Sequence, residues 1–291
     1  MDVLSKAQFD AIMTEVDQDL KNEGVPIQSR QIVGWMKFCQ RLKLNLPLVG
    51  QAVQGVYSGP SLAGHISDWF NARYGDRLKK DFSPGFIPIA ILGDVYLVRL
   101  PLIFGTASLY IDRAPHLNDH QCNTVSGTAA VSNILDWVVD LTDESRKHLS
   151  DSVLSSISNA CIVALRQATD WQSKGSEFLD SIADDLKLSA TLAVEGNFGL
   201  SRWHSLQASE KAIKVFIKKK GGSVPHIHDL KKLGDQATKL GLPAIRSKDI
   251  DCAQCQAAVR YEKKVSTQIE ALSENEAARN ICAIVAAQFS D

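Results

Sequence analysis

The fold of the C-terminal half is decided by Ser201-Arg202-Trp203-His204-Ser205-Leu206-Gln207-Ala208-Ser209-Glu210-Lys211. Apolar side chains recur around this stretch at helical spacing, at positions 200, 203, 206, 213 and 217. The run ends at Gly221-Gly222, and glycine commonly terminates helices. We therefore predict a helix over residues 199–220 with one apolar stripe facing a core.

Helical spacing continues on both sides of this stretch. Residues 176–194 predict the preceding helix, which ends at a glycine-containing cap, and apolar residues from Ile227 to Leu240 predict the following one. A fourth helix is predicted from about Asp249 past Tyr261, and a fifth around Ala277 to Phe289. We expect residues 175–291 to form an all-helical bundle.

The N-terminal half has a mixed pattern, and we predict the α+β class for the whole chain. Helices are predicted in the first forty residues and at 65–74, followed by a β-hairpin at 86–104 with a tight turn at Gly93-Asp94. Residues 108–111 are a candidate third strand, and helical spacing returns at 131–139 and 149–165. We expect a mixed domain at 1–125, bridging helices at 126–174 and the helical domain at 175–291.

The composition is that of an ordinary folded protein, with 45% hydrophobic and 22% charged residues. No apolar run is long enough to span a membrane, the first residues lack the apolar core of a signal peptide, and the six cysteines show no disulfide spacing. We expect a cytoplasmic protein with reduced thiols and no membrane association.

Positive charge is concentrated in one segment of a chain whose net charge is −1. Residues 199–264 contain 14 Lys and Arg against 6 Asp and Glu, whereas residues 1–198 contain 17 against 23. This asymmetry is compatible with an anionic partner at the basic segment, and equally with a solvated helix face.

Glu210 is unusual because it falls within the apolar stripe of the predicted helix. A buried carboxylate must be paired or hydrogen-bonded, since leaving it charged and alone costs several kcal/mol. Arg260, His228, Lys211 and Lys214 are its candidate partners. The group then either ties helices together or belongs to a polar ligand site.

Histidine and cysteine pairs elsewhere do not predict a metal site. His226 and His228 provide two ligands without a third in local register, and Cys252 and Cys255 form a single C-x-x-C without a second pair. We expect a helix cap near His228 and Asp229, buried thiols, no metal and no cofactor.

A lysine-rich face could contact phosphate groups, with Trp203 or Tyr261 available for stacking. Its members are Lys211, Lys214, Lys218, Lys219, Lys220, Lys231 and Lys232.

Three motifs in this order resemble the HEPN family over residues 175–291. They are Glu210-Lys211 on the second helix, His228-Asp229-Leu230 at the start of the third, and Arg260-Tyr261 late on the fourth. The resemblance implies a helical bundle, frequent dimerisation, and binding of RNA or nucleotides, with metal-independent ribonuclease activity in many members. Together with the lysine-rich face, it leads us to expect a binding site at Arg260, Tyr261, Lys211, Lys214, His228 and Glu210.

One departure from the family concerns catalysis. Ribonuclease members carry an Arg followed four to six residues later by His, whereas here Arg260 is followed by Tyr-Glu-Lys-Lys-Val-Ser-Thr. Either His228 or His226 supplies the proton chemistry, or the domain binds without cleaving.

We therefore expect a homodimer that binds RNA or a nucleotide, in a prokaryotic defence or toxin-type system, with a protein partner at the N-terminal domain. The alternatives are a non-catalytic dimerisation or partner-docking module, in which Glu210 and Arg260 form a core salt bridge, and a metal-independent endoribonuclease.

Overall fold

The computed structural model describes residues 4–79, 83–103, 105–114, 130–172, 177–261 and 265–289. The chain separates into two compact units, Met1–Phe82 and Ser83–Asp291. Helices predominate in the described residues and are accompanied by two small two-stranded sheets. This confirms the predicted α+β class with a helical C-terminal region. The three-part domain organisation remains a prediction.

Where the structure describes the first unit, its α-helices are α1 (Lys6–Asn22), α2 (Ile27–Leu42) and α3 (Gly59–Tyr74), and a 3-10 turn follows at Gly75–Leu78. Phe9, Met13, Phe38 and Phe70 are buried in its core. These bounds confirm the helices predicted from spacing near the N-terminus. The predicted helix at 65–74 is the second half of α3, which begins at Gly59-Pro60 because proline fits the first turn of a helix.

The second unit opens with an antiparallel hairpin, β1 (Phe86–Ile91) and β2 (Asp94–Arg99). Ile91 pairs with Asp94, so the turn residues are Leu92 and Gly93, with φ of +52° and +97°. The hairpin is confirmed, but the predicted Gly93-Asp94 turn is wrong by one residue. The strand also stops at Arg99 instead of reaching residue 104.

The candidate third strand exists as β3 (Ala107–Tyr110) but does not join the hairpin. It pairs in parallel with β4 (Ala130–Asn133). The helix predicted from Val131 is therefore wrong: Val131 lies in β4 and a 3-10 turn follows at Ile134–Trp137. The Asn133 side chain bonds the backbone at both Asp112 and Leu135, which holds the strand and the turn in place.

The connecting helices are α4 (Asp143–Lys147) and α5 (Asp151–Gln172). Leu154, Ile157 and Cys161 of α5 share a buried cluster with Ile87 and Val98 of the hairpin. The hairpin and α5 thus form one core.

The C-terminal bundle contains α6 (Glu177–Val194), α7 (Phe198–Lys219), α8 (Leu230–Lys239), α9 (Ser247–Ala253) and α10 (Gln268–Ala286). Four of the five helices were predicted. The continuous fourth helix is wrong, because α9 stops at Ala253 and a separate 3-10 segment covers Ala257–Tyr261. The Gln254 side chain at this break bonds the Leu230 amide and the His228 carbonyl. Among the described residues, no helix is long and apolar enough to cross a membrane.

Candidate functional site

Helix α7 is buried along most of its surface and, between residues 203 and 218, reaches solvent along one narrow strip. The partly exposed or exposed residues of the strip are Trp203, His204, Gln207, Lys211, Lys214 and Lys218, named here the α7 face. At 3.6 residues per turn these positions fall within about 100° of one another. A helix central to the bundle therefore carries aromatic, imidazole, amide and ammonium groups along one exposed side.

Glu210 lies beside the α7 face and is buried, with 6% of its surface exposed. Lys214 Nζ lies 2.7 Å from its Oε1, and His228 Nδ1 lies 2.7 Å from its Oε2. Of the four predicted partners, these two bond the carboxylate. His228 comes from the loop before α8, so Glu210 fixes that loop against α7.

Arg260 does not pair with Glu210 and is exposed at the surface. Its guanidinium carbon lies 4.6 Å from the centre of the Trp203 ring and 4.5 Å from that of the Tyr261 ring. It also donates a hydrogen bond to the Tyr261 hydroxyl. The Glu210–Arg260 core salt bridge of the docking-module hypothesis is therefore wrong.

Trp203 connects the residues around Glu210 with the pair Arg260 and Tyr261. Its ring centre lies 6.3 Å from that of His228, and the Arg260 guanidinium lies over the same ring. Contacts thus link five residues of the predicted site to Trp203: Arg260 and His228 directly, Tyr261 through Arg260, and Glu210 and Lys214 through His228.

Lys211, the sixth predicted residue, bonds a different carboxylate. Its Nζ lies 2.5 Å from Asp185 Oδ2 and 2.9 Å from Ser181 Oγ, both on α6. His204 Nδ1 lies 2.9 Å from the other oxygen, Asp185 Oδ1. Burial raises the pKa of Asp185, but the hydrogen bonds from His204 and Lys211 outweigh it and hold that pKa below its ordinary value.

Sequence reasoning missed Asp185 and His204. The available signal was the one that identified Glu210: Asp185 lies one turn from Ile182 and one turn from Ser189, both buried, so it also falls on the buried side of an amphipathic helix. Its partner His204 could not be assigned, because that contact depends on how α6 and α7 pack.

An open cavity of about 450 Å³ adjoins the site at His228. Asp229, Lys231, Asp251 and Gln254 contribute polar groups to its wall. Asp229 accepts from the Lys232 amide and caps α8, which confirms the predicted helix cap.

The predicted lysine-rich face is divided in the structure. Lys211, Lys214 and Lys218 belong to the α7 face, whereas Lys219 lies over the Phe289 ring and Lys220 over the Phe216 ring. Lys232 pairs with Asp229 beside the cavity. Only three of the seven predicted lysines thus belong to the α7 face.

The cysteines of the C-x-x-C are free, with Cys255 buried and Cys252 partly buried. Burial raises the pKa of the Cys252 thiol, so it is a poor nucleophile near neutral pH.

Residues 168–288 match the family model described as the HEPN domain, which confirms the resemblance of the C-terminal region. The matched segment begins inside α5 and covers α6 to α10. No curated protein and no solved structure matches the chain.

Proposed function

We propose that the HEPN region binds RNA or a nucleotide along the α7 face, with Arg260, Tyr261, His228 and Glu210 completing the site. The observation that carries this proposal is the position of the Arg260 guanidinium against both Trp203 and Tyr261. A cation held between two aromatic rings at the surface offers stacking to a base and charge to a phosphate.

The surrounding charges support an anionic ligand. Lys211 and Lys214 are each bonded to a carboxylate, while Lys218 is exposed on the same face. Because Asp185 and Glu210 are buried, the lysines and the guanidinium contribute most of the charge at the surface. The HEPN family is often linked to ribonuclease or nucleotide-related activity, which favours the same ligand class.

The ligand is tested by titrating purified protein into fluorescently labelled single-stranded RNA and into a labelled adenine nucleotide at low salt. Arg260→Ala should weaken the binding about tenfold, since loss of one stacking contact costs about 1–3 kcal/mol. Arg77→Ala is the matched control, because it removes the same charge from an exposed arginine of the first unit. Equal affinities of the two variants would contradict the proposed site.

A second candidate function is homodimerisation, favoured by exposed apolar side chains. Val265, just before α10, is 86% exposed, and Ile269, in the first turn of α10, is 76% exposed. Such residues commonly become buried in an interface. Light scattering after size exclusion should show a dimer that Val265→Asp with Ile269→Asp converts to a monomer; a monomeric wild-type protein would contradict this function.

The cytoplasmic location, the role in a prokaryotic defence or toxin-type system, and the protein partner of the N-terminal domain are further proposals. The defence role rests on analogy with the family. The protein partner rests on the separate N-terminal unit.

A further inference from the structure

A second, smaller cavity lies where β1, α5, α6 and α10 meet, and no residue of α7 lines it. Its volume is about 50 Å³, and it is partly open to solvent. One water molecule occupies about 30 Å³ in the liquid, so the cavity has room for a short hydrocarbon group. The apolar residues that line it are Phe86, Leu100, Ala164, Ala168, Trp171 and Leu186.

Arg279 of α10 brings a guanidinium to the wall of this cavity. Its side chain is partly buried. Nε donates to Asn275 Oδ1 at 3.2 Å, and Nη1 donates to Gln167 Oε1 at 3.0 Å. Both acceptors are neutral amides, and the guanidinium forms no ion pair with a carboxylate of the residues that the structure describes. Within the same residues Nη2 has no hydrogen-bond partner, so its N–H groups are available to a ligand.

The two amides that hold the guanidinium are themselves fixed. Asn275 is fully buried, and its Nδ2 donates to Ser189 Oγ at 3.0 Å. The Gln167 Nε2 atom donates to Asn280 Oδ1 at 2.9 Å. Arg279 is therefore oriented before any ligand arrives, and a preorganised group loses little conformational freedom on binding.

The charge of Arg279 lacks local compensation. Burial lowers the pKa of its guanidinium to about 10, whereas the negative charge of exposed Glu276 raises that pKa to a smaller extent. The group is thus still a cation at neutral pH. A charge in a partly apolar environment without a counter-ion is unfavourable, so an anion that reaches Nη2 gains a strong interaction.

The surroundings of Arg279 determine which anion fits. The planar guanidinium matches the two oxygens of a carboxylate, and the apolar walls beside it favour a hydrocarbon group. Inorganic phosphate satisfies the first requirement, to pair with the cation, and fails the second. A neutral amide of the same size satisfies the second and leaves the cation unpaired.

We propose that this cavity binds a short aliphatic monocarboxylate, with the carboxylate on Arg279 and the hydrocarbon group against Trp171 and Leu100. This site is separate from the α7 face and does not depend on the proposed RNA or nucleotide binding.

The test is a titration of the full ¹⁵N-labelled chain with butyrate at pH 7 and constant ionic strength, followed by NMR. The Trp171 indole N–H reports on the cavity and is assigned by its absence from the spectrum of Trp171→Phe. Butyrate should shift this signal saturably, with a Kd in the millimolar range. Butyramide and inorganic phosphate should bind at least about tenfold more weakly, because each lacks one of the two interactions.

Two variants test the two halves of the site. Arg279→Gln should weaken butyrate binding about 10-fold to 100-fold, because a hydrogen bond to a charged group is lost. Arg166→Gln is the matched control, since it removes the same charge from an exposed arginine of α5. Ala168→Leu keeps Arg279 and fills the cavity, and it should weaken binding by a similar factor. Circular dichroism of each variant verifies that it is folded.

Equal affinities for butyrate and butyramide would overturn the proposal, as would a Trp171 signal that does not respond to butyrate. Wild-type affinity in folded Arg279→Gln would show that Arg279 only ties α10 to α5 and would also overturn it. If Arg279→Gln does not fold, butyrate binding retained in Ala168→Leu overturns the proposal by itself.

Discussion

Gly199 faces the backbone carbonyl of Val259 so closely that a Cβ on residue 199 would overlap the carbonyl oxygen. This approach lets the 3-10 segment Ala257–Tyr261 pack on the first turn of α7. Arg260 is the next residue after Val259, and Trp203 lies one turn after Gly199. The contact between Arg260 and Trp203 therefore depends on a position that admits no side chain.

Gly199→Ala should displace Arg260 from Trp203 and weaken RNA binding about as much as Arg260→Ala, with a loss of about 1–3 kcal/mol of stability from overpacking. Titration with labelled RNA and urea unfolding measure the two effects. Gly234→Ala in α8 is the control, because its Cβ would meet only Ile250 Cδ1 at 3.6 Å and Ile245 Cδ1 at 3.9 Å. An affinity unchanged by Gly199→Ala would contradict this role.

The first unit should lose stability in acid because of Asp17. This carboxylate is 1% exposed and bonds Lys21, Arg73 and the Tyr74 hydroxyl. Burial raises its pKa, but these hydrogen bonds and charges outweigh it and lower the pKa overall. Because the pKa of Asp17 is lower in the folded state than in the unfolded state, its ionised form stabilises the folded protein. This stabilisation is fully present above the unfolded-state pKa of about 3.9 and is lost as the pH falls through the folded-state pKa.

Circular dichroism of an acid titration should follow this loss, and Asp17→Asn should remove much of the acid dependence while costing about 3 kcal/mol at pH 7. Asp10→Asn is the control, since Asp10 forms an exposed ion pair with Lys6. An acid transition identical in Asp17→Asn and wild type would show that another group controls it.

Arg202 and Glu274 form a buried ion pair between α7 and α10, with 2.6 Å between Nε and Oε1. Arg202→Met should destabilise the protein by about 3–5 kcal/mol, because Glu274 loses its guanidinium in a buried position. The double variant Arg202→Met with Glu274→Met should recover most of this loss, since two apolar residues need no charge compensation. Urea unfolding of the wild type, Arg202→Met, Glu274→Met and the double variant measures the coupling between the two residues, and additive losses of the two single variants would refute it.

Leu92→Asn should stabilise the hairpin by about 0.5–1 kcal/mol. Leu92 adopts φ of +52° at the first position of a two-residue turn, where asparagine is favoured and leucine is strained. Leu92 is also 56% exposed, so the substitution removes little packing. The control is Val131→Asn, which alters an exposed apolar residue in a strand. Thermal unfolding should show a higher stability for Leu92→Asn and no gain for Val131→Asn.

The helices could be predicted from sequence because their apolar spacing is local information. The parallel pairing of β3 with β4 could not be predicted, since two four-residue strands far apart in sequence carry no local signal for their partner. The break after Ala253 depends on tertiary bonds from Gln254 to the loop before α8.

At the site, the sequence predicted that Glu210 needs a partner but left four candidates open. Lys214 reaches Glu210 because it lies one turn later in α7. His228 reaches it because the loop before α8 packs against α7. Arg260 faces Trp203 because of the glycine contact at Val259, which no residue pattern indicates.

The segment that matches the family model and the compact structural unit that contains it have different boundaries. The family match begins at residue 168, within the last turns of α5, whereas the compact unit begins at Ser83. Leu154, Ile157 and Cys161 of α5 are buried with the hairpin, and Lys187 of α6 lies over the Phe86 ring. A chain shortened to residue 168 would thus expose the surface of α6 that the hairpin covers, so the smallest soluble fragment that retains the proposed site should begin near Ser83.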